Sequence, residues 1–268
     1  MKLTLPTAAL FTAIALTLTG CAASDTGSSA TAGADTSLSA VEEAGTLTVG
    51  TEGTYRPFSF HEDGSGDLTG YDVEVATAVA KELGVSVTFE ETQWDAIFAG
   101  LTAGRFDMIA NQVSITPERE AAYTFSTPYT YSTGVIVVPT DNTDITSFAS
   151  LSGKTTAQSL TSNWNALATE SGATVEAVEG WAQSVALVEQ GRVDATVNDK
   201  LTFLDYQKQT GADGLKIAAE TSEQSESAFA FAQGGTALAE AVDAALATLK
   251  ENGTLATISD KYFGADVS

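Results

Sequence analysis

Apolar residues recur along this chain in two rhythms, one of period two and one of three to four, and their alternation predicts an α/β protein. Ser39-Ala40-Val41-Glu42 reads as a capping box opening a short helix that Gly45 ends, and Leu47-Thr48-Val49-Gly50 as a first strand. From Asp72 to Leu83 the apolar positions Val75, Ala76, Val79 and Leu83 share one helical face, with Gly84 as the stop. Val85 to Glu90 alternates as a strand, and Asp95 to Ala103 reads as a second helix closed by Gly104. Phe106 to Val113 is apolar enough for a strand buried on both faces. Thr116-Pro117-Glu118 opens another helix, with Thr116 as N-cap and Pro117 at its first position. The stretch around His61-Glu62-Asp63-Gly64 reads as turn-rich, with His61 exposed.

The rhythm restarts after Pro139. Strands are expected at Thr155 to Ser159, Thr174 to Val178, Val193 to Val197 and Leu215 to Ala219. Helices are expected at Asn163 to Glu170, Trp181 to Gln190 and Lys200 to Gln209. Two apolar extended segments, Gly134 to Val138 and Ala228 to Ala232, flank this second unit and read as crossing strands that form a hinge. The helices Ala237 to Leu249 and Thr254 to Tyr262 then return to the first unit. The expected division is a first lobe of residues 39–133 and 234–268, with residues 134–233 inserted as a second lobe with the hinge strands.

The amino-terminal segment obeys neither rhythm. Lys2 precedes an apolar stretch, Leu3 to Leu18, too short and too polar for a comfortable membrane span but suited to a signal peptide. It ends in Leu18-Thr19-Gly20-Cys21, which resembles a bacterial lipobox. That resemblance implies cleavage after residue 20 and a lipid on the thiol of Cys21, the single cysteine of the chain. Residues 21–38 are small and polar and read as a flexible tether.

Composition narrows the function. The 268 residues carry 35 Asp and Glu against 12 Lys and Arg, a net charge of -23. Such a surface repels phosphate backbones, which argues against nucleic acid, and offers anionic lipid headgroups no attraction. A solubilising surface or a saline habitat would select the same balance. With one cysteine there is no intramolecular disulfide, and with one histidine, His61, no Cys/His cluster that suggests a metal. The glycines of GLTAG and AQGG lack the strand–GxGxxG–helix context of a nucleotide site.

Six segments then become recognisable: GTEGTYRPFSF (50–60), GYDVEVATAVAKELG (70–84), WDAIFAGLTAGRFDMIANQVSITPERE (94–120), FSTPY (125–129), GRVDATVND (191–199) and KYFGADV (261–267). Together, and in this order, they resemble the polar amino-acid branch of the ABC-transporter extracytoplasmic solute-binding proteins. GTEGTY, ANQVSIT and FSTPYT look most like its cystine-binding members. The resemblance implies a periplasmic-binding-protein-like type II fold, two α/β lobes joined by two hinge strands in the manner of a Venus flytrap. It implies a monomer without cofactor that hands an amino acid to an importer permease, outside the cytoplasm and held to the membrane by its lipid.

It also implies a site. Arg119 matches the family's carboxylate-binding arginine, and a guanidinium can take a carboxylate bidentately. Ser114 and Gln112 match positions that face the ligand's carboxylate and ammonium. From the second lobe, Thr161 and Ser162 would add helix-start N–H groups, although Leu160 stands where many relatives carry glycine. Asp199 matches the ammonium-binding aspartate, and Tyr55 and Trp94 the aromatic positions that enclose the ligand's stem. Glu52 lies in the loop that selects the side chain, and an anion there suits a ligand whose far end is cationic or donates hydrogen bonds, as cystine's does. Two other classes share the scaffold: an enzyme resembling dehydratases, for which Glu52 is the candidate acid, and a sensory lipoprotein.

Overall fold

The computed structural model describes residues 34–211 and 213–268. The expected signal peptide, Cys21 and residues 22–33 of the tether lie outside the described residues. Asp35–Ser268 is one compact unit built as two lobes.

The first lobe is built on one sheet. Strands Ser86–Glu91, Thr46–Thr51 and Met108–Ser114 run parallel, and Ser225–Ala232 closes antiparallel onto Met108–Ser114. Tyr123–Phe125 and Thr130–Ser132 pair with the far side of Ser225–Ala232. Every position of Met108–Ser114 is buried, because helices cover both faces. On one face Leu47, Val49 and Met108 meet Val75 and Val79 of helix Tyr71–Glu82 and Val242 and Leu246 of helix Thr236–Glu251. On the other, Ile109 and Val113 meet Ile97 and Leu101 of helix Trp94–Thr102.

The second lobe repeats the plan. Gly134–Pro139 is the centre of an antiparallel trio with Thr196–Asp199 and Leu215–Glu220. Thr155–Gln158 and Thr174–Ala177 form a parallel pair, joined to the trio by one bridge, Thr156 to Ala195. Val135 and Val137 pack to one side and Ile136 and Val138 to the other, the period-two consequence of a strand covered on both faces.

Both lobes use the same device at the entry to a strand. In Gly104-Arg105-Phe106-Asp107 and Gly191-Arg192-Val193-Asp194, each aspartate takes a backbone N–H of the neighbouring strand: Thr48 N to Asp107 Oδ2 and Thr155 N to Asp194 Oδ2, 2.8 Å each. This grip delays the strands, which begin at Met108 and Thr196 rather than at the expected Phe106 and Val193.

Four expectations are corrected. Ala228 to Ala232, expected as a hinge strand of the second lobe, belongs to the first-lobe sheet. The chain instead crosses just outside the sheets, where Gly134 N donates to Thr221 Oγ1 at 3.0 Å and Thr221 N to Gly134 O at 2.8 Å. Only glycine fits at 134, since a Cβ would stand 2.4 Å from the Trp164 ring. The tether to residue 38 ends sooner, as helix Ser37–Ala44 starts ahead of the expected capping box. Asp35 sets that start by accepting from Ser37 N at 2.9 Å and from Ala237 N at 2.6 Å. The turn-rich stretch contains a small sheet, Thr54–Tyr55, Ser59–His61 and Leu68–Thr69. In it His61 is half-buried, with Nδ1 2.6 Å from Gly66 O and Nε2 3.0 Å from Glu91 Oε1, and these two partners raise its pKa.

Candidate functional site

The lobes meet along a cleft at the carboxyl ends of the sheet strands, where open α/β sheets bind ligands. Glu52, Tyr55, Trp94, Asn111 and Gln112 line it from the first lobe. Gln158, Ser162, Gly180, Trp181 and Asn198 line it from the second. Direct bonds hold the walls together: Tyr55 Oη donates to Asn198 Oδ1 at 3.0 Å, and Thr161 donates to Asp95 Oδ1 from N at 3.0 Å and from Oγ1 at 2.7 Å. Arg56 and Asp205 pair across the lobes at 3.6 Å.

Five expected site residues therefore face the cleft: Glu52, Tyr55, Trp94, Gln112 and Ser162. Ser162 is also the N-cap of helix Asn163–Glu170, its Oγ accepting from Asn165 N at 3.1 Å. Leu160 is 63% exposed. Ser114, Arg119, Thr161 and Asp199 are not part of the cleft surface in this conformation. They stand beside it, drawn into bonds with the protein itself. Arg119 Nη1 donates to Ser114 O at 2.9 Å and Nη2 to Thr161 O at 3.4 Å, and the guanidinium lies 5.2 Å from the Trp94 ring and 5.4 Å from that of Phe98. Asp199 Oδ1 accepts from Ser132 Oγ at 2.7 Å and caps helix Lys200–Thr210 through Leu201 N at 2.8 Å.

Gln112 has a backbone φ of 49°, in the left-handed region, inside a fully buried strand. Such a conformation costs about 1–3 kcal/mol and persists only where its surroundings hold it. The holder is Asp72 at the start of helix Tyr71–Glu82, whose carboxylate accepts from Gln112 N at 2.7 Å and from Nε2 at 2.6 Å.

The site's charges are acidic in excess. Burial pushes Glu52 up to about 7, against the opposing hydrogen bond of Asn111 Nδ2 at 2.6 Å. Burial likewise pushes Asp72 to about 7 and Asp199 to about 6. Burial lowers Arg119 to about 10, and among the described residues it makes no ion pair. Trp94 Nε1, Gln112 Oε1 and Gln158 Nε2 are buried without a hydrogen-bond partner, and all three residues line the cleft.

These shifts have a sign. Each of the three acids titrates higher in the folded chain than its ordinary 3.8 or 4.5, so from about pH 4 to 7 the folded state holds more protons than the unfolded. Stability is then lost as pH rises through that window and gained on acidification, and relief of the -23 net charge acts in the same direction. The melting temperature of the ligand-free chain is expected to rise by roughly 3–10 °C from pH 7.5 to pH 5. A calorimetric scan that stays flat, or falls, removes this account of the buried acids.

The sequence reading missed Asn111, Gln158, Trp181 and Asn198. A signal was present for two of the polar three: Gln158 ends its strand in TTAQ and Asn198 stands next to the end of its strand in TVND. In a doubly covered sheet that position points to a ligand rather than to solvent.

Residues 47–265 match the profile of the bacterial extracellular solute-binding proteins, family 3. The chain is 54% identical over 228 residues to an L-cystine-binding protein of Bacillus subtilis (strain 168), covering 85% of each. Among solved structures it resembles the L-cystine solute receptor of Neisseria gonorrhoeae in the unliganded open conformation, at 47% identity and a TM-score of 0.59, covering 87% of this chain and 98% of that one. It resembles an ancestral arginine-binding protein bound to arginine at 36% identity and a TM-score of 0.77, covering 82% and 99%. The better superposition thus goes with the lower identity, and the lobes here sit nearer the ligand-bound arrangement, as their direct contacts require.

Proposed function

Since this chain belongs to the bacterial extracellular solute-binding proteins, family 3, and captures an amino acid for an ABC importer, we propose that the amino acid is L-cystine. The observation that carries the choice is Glu52 in the cleft wall, with Asn111 behind it, which sets an acid where the ligand's far end would lie. Arg119 takes the α-carboxylate and Asp199 the α-ammonium, with Ser114, Gln112, Thr161 and Ser162 completing the head and Tyr55 and Trp94 enclosing the stem. The test is calorimetry against L-cystine, glutamine, histidine and arginine. Cystine is expected to bind most tightly; another of the four binding about tenfold tighter, a gap of about 1.4 kcal/mol, overturns the choice.

The receptor works as a monomer and does no chemistry on its ligand. Glu52 is the cleft acid that proton transfer would use, and turnover of a bound amino acid would favour the dehydratase-like reading. The protein is held outside the cytoplasm by a lipid on Cys21. Among the described residues no helix is long and apolar enough to cross a membrane. Cys21→Ser is expected to leave the membrane fraction or to stay unprocessed; a variant still processed and retained in a detergent-dependent way sinks the anchor.

A further inference from the structure

The second lobe holds a donor that the protein itself leaves unused. Gln158 is 3% exposed at the carboxyl end of strand Thr155–Gln158, facing the cleft. Its Oε1 accepts from Thr156 Oγ1 at 2.9 Å, which orients the amide, and its Nε2 is buried with no hydrogen-bond partner among the described residues. A buried N–H donor without an acceptor is costly, so this one is aimed at something the protein does not provide.

Beside it on the same wall begins helix Trp181–Glu189. Its N-cap is Gly180, in extended backbone, and no side chain caps it. The free N–H groups of its first turn and the positive end of its dipole face the cleft through Gly180 and Trp181. Across from Gly180 stands the Glu52 carboxyl: a methyl placed on Gly180 would lie 4.0 Å from Glu52 Oε1. One wall therefore presents donors, and the other, within a few ångströms, presents an acid.

We propose that Gln158 Nε2 and the first turn of helix Trp181–Glu189 form a second carboxylate subsite, paired with Glu52 as a second ammonium subsite, so that the cleft grips both heads of a two-headed amino acid. An α-amino acid carries its carboxylate and ammonium on one carbon, and the two facing walls offer the complements of both. A ligand with only a cationic tail satisfies Glu52 but leaves Gln158 Nε2 and the helix terminus without an acceptor. The proposal rests on the cystine reading and adds to it the residues that distinguish cystine from other amino acids with a positive far end.

The experiment compares L-cystine with the mixed disulfide of L-cysteine and cysteamine, which keeps the far ammonium and lacks the far carboxylate. The natural chain is expected to bind cystine about tenfold or more tightly than the mixed disulfide, the value of one hydrogen bond to a charged group. Gln158→Leu is expected to lose about tenfold for cystine and less than about threefold for the mixed disulfide, both titrated below its unliganded melting transition, since Thr156 Oγ1 loses its acceptor. Gln158→Glu, close in shape to the natural side chain, sets a negative charge against the carboxylate and is expected to invert the preference between the two ligands. Cystine binding that neither substitution changes, or equal losses for both ligands, overturns the subsite and leaves the cystine reading standing. A natural chain that does not bind cystine overturns both. The comparison of the two ligands on the natural chain needs no variant, so a substitution that fails to fold leaves the proposal open to refutation.

Discussion

Arg119→Ala is expected to bind its amino acid about thirtyfold to several thousandfold more weakly than the natural chain, a loss of roughly 2–5 kcal/mol. The guanidinium has been taken out of water between Trp94 and Phe98, and burial has already lowered its pKa to about 10. Two carbonyls, Ser114 O and Thr161 O, accept its hydrogen bonds, and among the described residues it forms no ion pair, Glu118 acting on it only from a distance. A desolvated cation without an ion-pair partner suits an incoming anion, and in the proposed function that anion is the ligand's α-carboxylate. Arg119→Lys should restore only part of the affinity, since an ammonium lacks the bidentate fork. The stacking on Trp94 and Phe98 means that Arg119→Ala also loses about 1 kcal/mol of stability, so both variants are titrated after their unliganded melting curves are compared. A folded Arg119→Ala chain with near-natural affinity would falsify this assignment.

The second large effect is on the fold. Asp72→Ala is expected to destabilise the chain by about 2–4 kcal/mol, because it leaves the buried backbone N of Gln112 without its acceptor and its Nε2 with Thr130 Oγ1 alone, at 3.1 Å. That corresponds to a fall in melting temperature of roughly 5–15 °C for a chain of this size. Gln112 then loses the group that holds it at a φ of 49°, so ligand affinity falls as well, although Asp72 does not line the cleft. Asp72→Asn keeps an acceptor oxygen and is expected to lose less on both counts. Equal melting temperatures for the natural chain and Asp72→Ala would show that the left-handed conformation is held by something else. The burial that makes Asp72 effective also raises it to about 7, so the same carboxyl contributes to the gain in stability on acidification.

Much of the element order was legible along the chain. Helix Asn163–Glu170 falls where its periodicity places it, and Tyr71–Glu82, Trp94–Thr102 and Thr236–Glu251 within a residue or two. Those signals are local: a helix shows which face it must bury within two or three turns, and an apolar run such as Met108–Ser114 shows that both faces are covered. The family, too, was carried by short segments read in order along the chain.

What pattern could not supply was the partner of each polar group. Ser225–Ala232 reads as apolar and extended in either lobe, and only its pairing with Met108–Ser114 assigns it to the first. Asp72 reads as an ordinary helix-start acid until Gln112 is brought to it, and Gln158 as an ordinary strand residue until the cleft closes over its unpaired amide. Nothing near Glu52 in sequence says that Asn111 will bond it, nor that Gly180 will face it from the other lobe. By itself the sequence determined which surfaces are buried and the order of the elements, because hydrophobic period and helix capping act over a few residues, while the class of ligand came from the family resemblance of its segments. The tertiary structure decided which buried polar groups are satisfied, which are left for a ligand and how far each acid is pushed from its usual pKa. Those outcomes depend on desolvation and on hydrogen bonds between residues 40 to 143 positions apart, which no local pattern encodes.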